Sequence, residues 1–207
     1  MEKYISVEYA DFSFLKYKTS VDRYSKKDTR ELNFQNRIII PMLENVLINT
    51  DIEVVDTSTL YYRGNRNSKR IDNSKFTGKK DDGRYAAPPD LLLVKNWNLD
   101  NVNNEVEYLA AIEIKSPASG EHIYGEKFEK YNLHIQREMK AHLSVNAKVI
   151  LTDCCRWQFF DNNTGFNDIP PIDLTDKNGK WKKSEELETP EEWHQLQKKI
   201  LEFLEIE

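Results

Sequence analysis

Three residues carry most of the chemistry that can be read in this sequence: Asp90, Glu113 and Lys115. Asp90 follows Pro88-Pro89 and opens the apolar run 91–94, while Glu113 and Lys115 stand at the end of a second run, 109–114. Both runs are short, β-rich and bounded by Pro, Asn and Asp, which predicts strands. Residues two apart share a strand face, so Glu113 and Lys115 project together while Ile112 and Ile114 point into the core. Two carboxylates on neighbouring strands beside an ammonium suit a hard cation such as Mg²⁺, which takes oxygen ligands and leaves positions for phosphate and water. The competing reading is a salt bridge on a half-exposed strand. Spacing alone does not separate the two, since Glu138-Met139-Lys140 repeats the pattern in a predicted helix and is given no function.

Pro89-Asp90 followed by Glu113-Ile114-Lys115 resembles the PD-(D/E)xK nuclease superfamily, particularly the N-terminal endonuclease domain of type I restriction subunits. The resemblance covers about residues 28–161. It implies an α/β, restriction-endonuclease-like fold, with a mixed central sheet flanked by helices and here a C-terminal helical extension. Asp90 and Glu113 would be carboxylate ligands of Mg²⁺ or Mn²⁺, with the Ile114 carbonyl as a further ligand. Lys115 would orient or activate the attacking water and steady the developing charge. The resemblance also implies a glutamate on a helix ahead of the strands; Glu31 is the candidate, Glu44 the fallback and Gln35 a weaker one. Asp28 and Glu31 read equally well as a capping box with Asp28 at the N-cap, so both readings of Glu31 stay open. Gln136 matches a glutamine carried on the following helix. The tyrosine that commonly accompanies it is missing, with Met139 and His142 in the next turns, so a plain surface role for Gln136 also stays open.

Other segments frame these residues. Residues 1–27 alternate aromatic, apolar and charged side chains and fit either an edge strand or a short helix. Helical spacing predicts a helix over 28–49, kinked or split by Pro41. A first strand is expected over 52–60, with Asp56 on it. The stretch 61–84 is basic and Gly-containing: Arg63, Arg66, Lys69, Arg70, Lys79, Lys80 and Arg84 are its candidate phosphate contacts. A solvated loop with incidental charge is the alternative. Residues 95–107 read as a hairpin tip, and 125–143 as a crossover helix with Phe128, Tyr131, Ile135 and Met139 on its core face. Strands are predicted at 147–153 and 156–161, with Trp157 and Phe159 packing. Over residues 161–207, twelve acidic residues face six basic ones. This arm should lie away from nucleic acid, on the core or on a protein partner, and ends in a helix capped by Thr189 with Pro190 at N1.

Composition bounds the rest. A chain of 207 residues, 31% charged and 39% hydrophobic, suits one globular domain with an acidic arm over 162–207. No apolar run spans a bilayer and no signal-peptide core is seen, so a cytoplasmic, non-membrane protein is expected. Adjacent Cys154 and Cys155 match neither a disulfide framework nor CxxC spacing. His122, His134, His142 and His194 lack zinc spacing, and no phosphate loop or GxSxG is present. The expectation is an Mg²⁺- or Mn²⁺-dependent endonuclease acting on nucleic acid, DNA favoured, alone, as a homo-oligomer or with a partner subunit. Its rivals are a silent nuclease fold that binds nucleic acid or a partner complex as a regulator or inhibitor, and a purely structural module.

Overall fold

The computed structural model describes residues 12–57, 76–98, 105–119, 121, 123–124, 128, 130–162, 169–183 and 189–206. Its centre is a six-stranded sheet in the order β1 (Ile52–Asp56), β2 (Leu91–Lys95), β3 (Glu107–Ile114), β4 (Lys148–Thr152), β5 (Arg156–Asp161) and β6 (Ile172–Asp173). Helices α1 (Phe14–Lys27), α2 (Glu31–Phe34), α3 (Ile40–Val46), α4 (Leu133–Leu143) and α5 (Glu191–Phe203) flank it. Strands β3 and β4 pair parallel and the other neighbours antiparallel. Parallel pairing needs a crossover, and α4 lies between those two strands in the chain. The fold is therefore α/β, a mixed sheet flanked by helices with a helix at its C-terminal end. No helix among the described residues is long and apolar enough to cross a membrane.

Both faces of the central strands are covered, which is why they read as unbroken apolar runs rather than alternating ones. Leu91, Leu93, Ile112, Ile114 and Trp157 join one core with residues of α1, α3 and α5, among them Tyr17, Met42 and Leu196. Leu92, Val94, Ala111, Val149 and Leu151 join a second core with Phe76, Phe128, Ile135 and Met139. Tyr131, expected on the core face, is instead 76% exposed. Helix α4 begins at Leu133, so its buried stripe starts with Ile135.

The N-terminal segment resolves as a helix, not an edge strand. Ser13 caps α1 by accepting from the Lys16 amide at 3.3 Å, and Phe14, Tyr17 and Val21 form its buried stripe. The expected 28–49 helix is built differently. Asp28 ends α1 as its C-cap, and Arg30 is the N-cap of α2, with no side-chain cap. The capping box is thus overturned: Glu31 sits at the first helical position, its carboxylate free to reach elsewhere. Instead of kinking or splitting, the chain widens into a π-helical turn, Gln35–Ile39, that leads into Pro41 at the start of α3. Proline has no N–H to donate back and crowds the preceding turn, so a wider turn there relieves both problems.

At the C-terminal end Pro190, not Thr189, is the N-cap of α5, again without a side-chain cap. This helix docks on the core through Trp193, whose ring lies 4.9 Å from that of Tyr17. The tight β4–β5 turn is held by the Asp153 carboxylate, which accepts from the amides of Cys155 (3.0 Å) and Arg156 (2.7 Å). Burial pushes both Cys154 and Cys155 up, the latter to about 12, so neither thiol is poised as a nucleophile.

The segment leading to Asp90 is pinned to α4. Asn146 Nδ2 donates to the Phe76 carbonyl at 2.9 Å, and Gly78 lies so close to the helix that a Cβ would fall 1.6 Å from the Ala141 carbonyl oxygen. Gly78→Ala should therefore destabilise the protein by about 1–3 kcal/mol through overpacking. A thermal melt checks this; an unchanged midpoint would show that the close approach does not exist.

Candidate active site

Register brings the two carboxylates together. Leu91 pairs with Ile112, so one step outward sets Asp90 opposite Glu113 on neighbouring antiparallel strands. Side chains directly opposite share a face, with Cβ atoms roughly 4.5–5.5 Å apart, and like charges in that position repel. The face is that of α4, because Leu92, of the same parity as Asp90, packs in the core beneath that helix. The approach to β2 is clamped by Thr57 at the end of β1. Its hydroxyl donates to the Pro89 carbonyl, and its amide donates to the Asp90 carbonyl at 3.1 Å. Asp90 Oδ2 accepts from the Ile114 amide at 2.7 Å. In extended backbone a residue's C=O leaves on the same side as its N–H, so the Ile114 carbonyl also faces the Asp90 side of β3.

Lys115 answers the repulsion only in part. Its Nζ lies 2.7 Å from Glu113 Oε1 and 3.9 Å from Glu31 Oε1. Glu31 comes in from the helical layer on the opposite side of the sheet, over the end of β3. Burial disfavours the Lys115 ammonium, but Glu113, Glu31 and Asp90 outweigh it and hold the group above its ordinary range. Glu113 is also buried, yet the His142 ring and Lys115 together keep its carboxyl below the usual value. His142 Nε2 stands 3.7 Å from Glu113 Oε2. Asp90 takes the remaining strain: burial, then the Glu113 charge, push it up to about 8. Burial raises Glu31 as well, partly offset by Lys115.

The cluster is thus short of positive charge. The repulsion between Asp90 and Glu113 marks the place where a cation would bring relief. The donor set fits a hard divalent ion: two carboxylates on neighbouring strands and a backbone carbonyl beside them, leaving positions for water and phosphate. Among the described residues no three His, Cys, Asp or Glu side chains form a group that could hold a metal ion by themselves.

Several expected residues lie elsewhere. Gln136 Nε2 donates to the Phe128 carbonyl at 2.7 Å, tying α4 to the chain before it. Glu44 is exposed, whereas Gln35 is buried in the π turn, and its Nε2 finds no hydrogen-bond partner among the described residues. Arg63, Arg66, Lys69 and Arg70 fall outside the described residues. Of the other phosphate candidates, Lys79 lies over the Tyr85 ring at 5.1 Å. Lys80 pairs with Glu138 at 3.1 Å and Arg84 with Asp82 at 2.6 Å, so their charges are already answered by carboxylates. Two contributors were missed. Thr57 carries no signal short of the tertiary fold. His142 did carry one, since it stands seven residues after Ile135 and three after Met139, on the stripe that faces the sheet.

Compared with protein-family models, curated proteins and solved structures, the chain matches none of them.

Linkage gives a test of the repulsion. The folded pKa of Asp90 lies above that of an unfolded aspartate, so its contribution favours the folded state in acid and is lost as pH rises through about 8. Asp90→Asn keeps an oxygen for the Ile114 amide but carries no charge. With cations chelated, this variant should melt higher than wild type at about pH 9, by roughly 1–3 kcal/mol, and show no such gain near pH 4. A variant no more stable than wild type in base would remove the electrostatic account of the site.

Proposed function

We propose that this chain is a divalent-cation-dependent nuclease of the PD-(D/E)xK type, built on a restriction-endonuclease-like sheet, that hydrolyses phosphodiester bonds, with DNA the favoured substrate. The observation that carries the reading is Asp90 opposite Glu113 on adjacent strands, with Lys115 held on Glu113 at 2.7 Å. Asp90, Glu113 and the Ile114 carbonyl are the donors that would hold Mg²⁺ or Mn²⁺. Such an ion, when bound, supplies a Lewis acid for the phosphate oxygens and lowers the pKa of an attached water.

Lys115 remains charged under its carboxylate neighbours, so it is unsuited to take a proton from water. Its part is to orient the attacking water and to steady negative charge gathering on the phosphate. Glu31 tethers Lys115 from the helical layer, and His142 braces Glu113 from α4. A group that holds a ligating carboxylate in place typically contributes 10–100-fold to metal affinity or activity.

The closed Lys115–Glu113 pair also suits a purely structural salt bridge, and one experiment separates the two. Plasmid, single-stranded DNA and RNA are incubated with Mg²⁺, Mn²⁺ or chelator, using wild type, Asp90→Asn, Lys115→Ala and His142→Leu. Cutting should require the cation, fall on the order of 10²–10³-fold in the Asp90 and Lys115 variants, and fall roughly 10–100-fold with His142→Leu. Wild type that binds nucleic acid but never cuts it would leave a binding module. Lys115→Ala that loses stability, in a protein whose wild type neither cuts nor binds, would leave the salt bridge.

A further inference from the structure

Several basic side chains on the described surface are paired with carboxylates: Lys80 with Glu138, Lys95 with Asp51, Lys148 with Glu205, Arg156 with Asp173. The elbow between α1 and the π turn departs from this. Arg23, Lys26, Lys27 and Arg37 are all exposed, and among the described residues none has a carboxylate within ion-pair distance. Arg23, Lys26 and Lys27 stand at i, i+3 and i+4, so they share one face of α1. Arg37 joins them in space. Its guanidinium lies 5.6 Å from the centroid of the Tyr24 ring, and that of Arg23 lies 5.8 Å from the same ring. Tyr24 itself is braced edge-on by Phe34 at 6.5 Å. Two like charges are therefore gathered on one aromatic ring, against their mutual repulsion.

Lys26 and Lys27, in the last turn of α1, also complement the helix dipole. That reason does not extend to Arg23, a turn earlier, or to Arg37, on another element. Arg30 differs from all four, because its bidentate pair with Asp28 orders the elbow itself. One residue further along the chain is Glu31, 3.9 Å from Lys115 Nζ. The four cations thus stand on the two elements that flank Glu31 in the chain, the residue that reaches Lys115.

Building on the nuclease reading, we propose that Arg23, Lys26, Lys27 and Arg37 form the surface that grips the phosphate backbone of the nucleic-acid substrate beside the Asp90–Glu113–Lys115 cluster. Guanidinium forks held on a ring are pre-organised to meet phosphate oxygens in pairs. The chain as a whole carries a net charge of −5, so a local positive patch, not general attraction, must hold a polyanion at the site. Contacts of this kind are to phosphates and carry no sequence preference.

The test uses the full chain with Asp90→Asn as a non-cutting parent, and a daughter in which Arg23, Lys26, Lys27 and Arg37 are all replaced by Gln. Binding of labelled duplex DNA, single-stranded DNA and RNA is followed by fluorescence anisotropy across a salt series. Each phosphate contact removed should flatten the slope of log K against log salt by about 0.9 for duplex DNA, and affinity at low salt should fall at least about tenfold. Lys26→Gln with Lys27→Gln alone, which touches no ring, should flatten it by about half as much and serves if the fourfold variant fails to fold. A parent that binds and a daughter that binds with the same slope would overturn this surface while leaving the nuclease reading intact. No binding by the parent and no cutting by wild type would overturn both. A daughter that loses only its binding to phosphatidylserine vesicles would overturn the assignment in favour of a membrane surface.

Discussion

Everything in this fold that bears on chemistry follows from two like charges set opposite each other on adjacent strands. Asp90 and Glu113 share a buried face, and a single ammonium stands between them and neutrality. Such an arrangement opposes folding unless the register that imposes it is held from outside. The Thr57 clamp on Pro89 and Asp90 holds one strand, the Ile114 amide holds the Asp90 carboxylate, and the apolar interleaving of β2, β3 and β4 holds the rest. A one-residue slip of β2 would turn Asp90 to the opposite face, and because the Leu91–Val94 run is apolar on both faces, the polar clamp rather than the hydrophobic pattern resists it.

Much of this was legible in the sequence, and the reason is local. Runs such as LLLV and the alternation around Glu113 and Lys115 depend on neighbours one or two residues away, so strand identity, facing and the crossover helix could be read directly. What escaped depends on distant partners or on backbone detail. Lys80 looked available for phosphate because its partner, Glu138, lies 58 residues further along. Asp28 and Glu31 matched a capping pattern, yet Asp28 is drawn to Arg30 and the helix begins later than the pattern places it. Tyr131 followed the helical period but falls before the point where α4 begins. Thr57 had no local mark at all, since its hydroxyl matters only once β1 lies against the approach to β2.

The two sides of the sheet divide the labour. On one side α1, α3 and α5 close over a core rich in aromatic rings, where Tyr17 donates to the Cys154 carbonyl at 2.8 Å and locks the first helix to the β4–β5 turn. On the other, α4 carries His142 against Glu113, so a helix that otherwise packs through Ile135 and Met139 also touches the charged cluster. The functional groups are anchored on packed elements, not suspended on loops. A buried, rigid setting lets a few ångströms of proximity translate into large shifts in protonation, which the same residues on a wet surface would not show.

The π turn before Pro41 has a geometric consequence of its own. Successive residues of an α-helix advance by about 100° around its axis, and a π turn absorbs one extra residue without breaking the rod. Residues ahead of the turn are therefore offset by one position in angular phase from those after it. Glu31 points where it does because of that offset. With a regular helix through the same stretch, its carboxylate would swing by about a quarter-turn relative to Met42 and Leu43, away from the end of β3. The proline thus acts as a phase adjuster, setting the azimuth of an acidic side chain ten residues upstream of it.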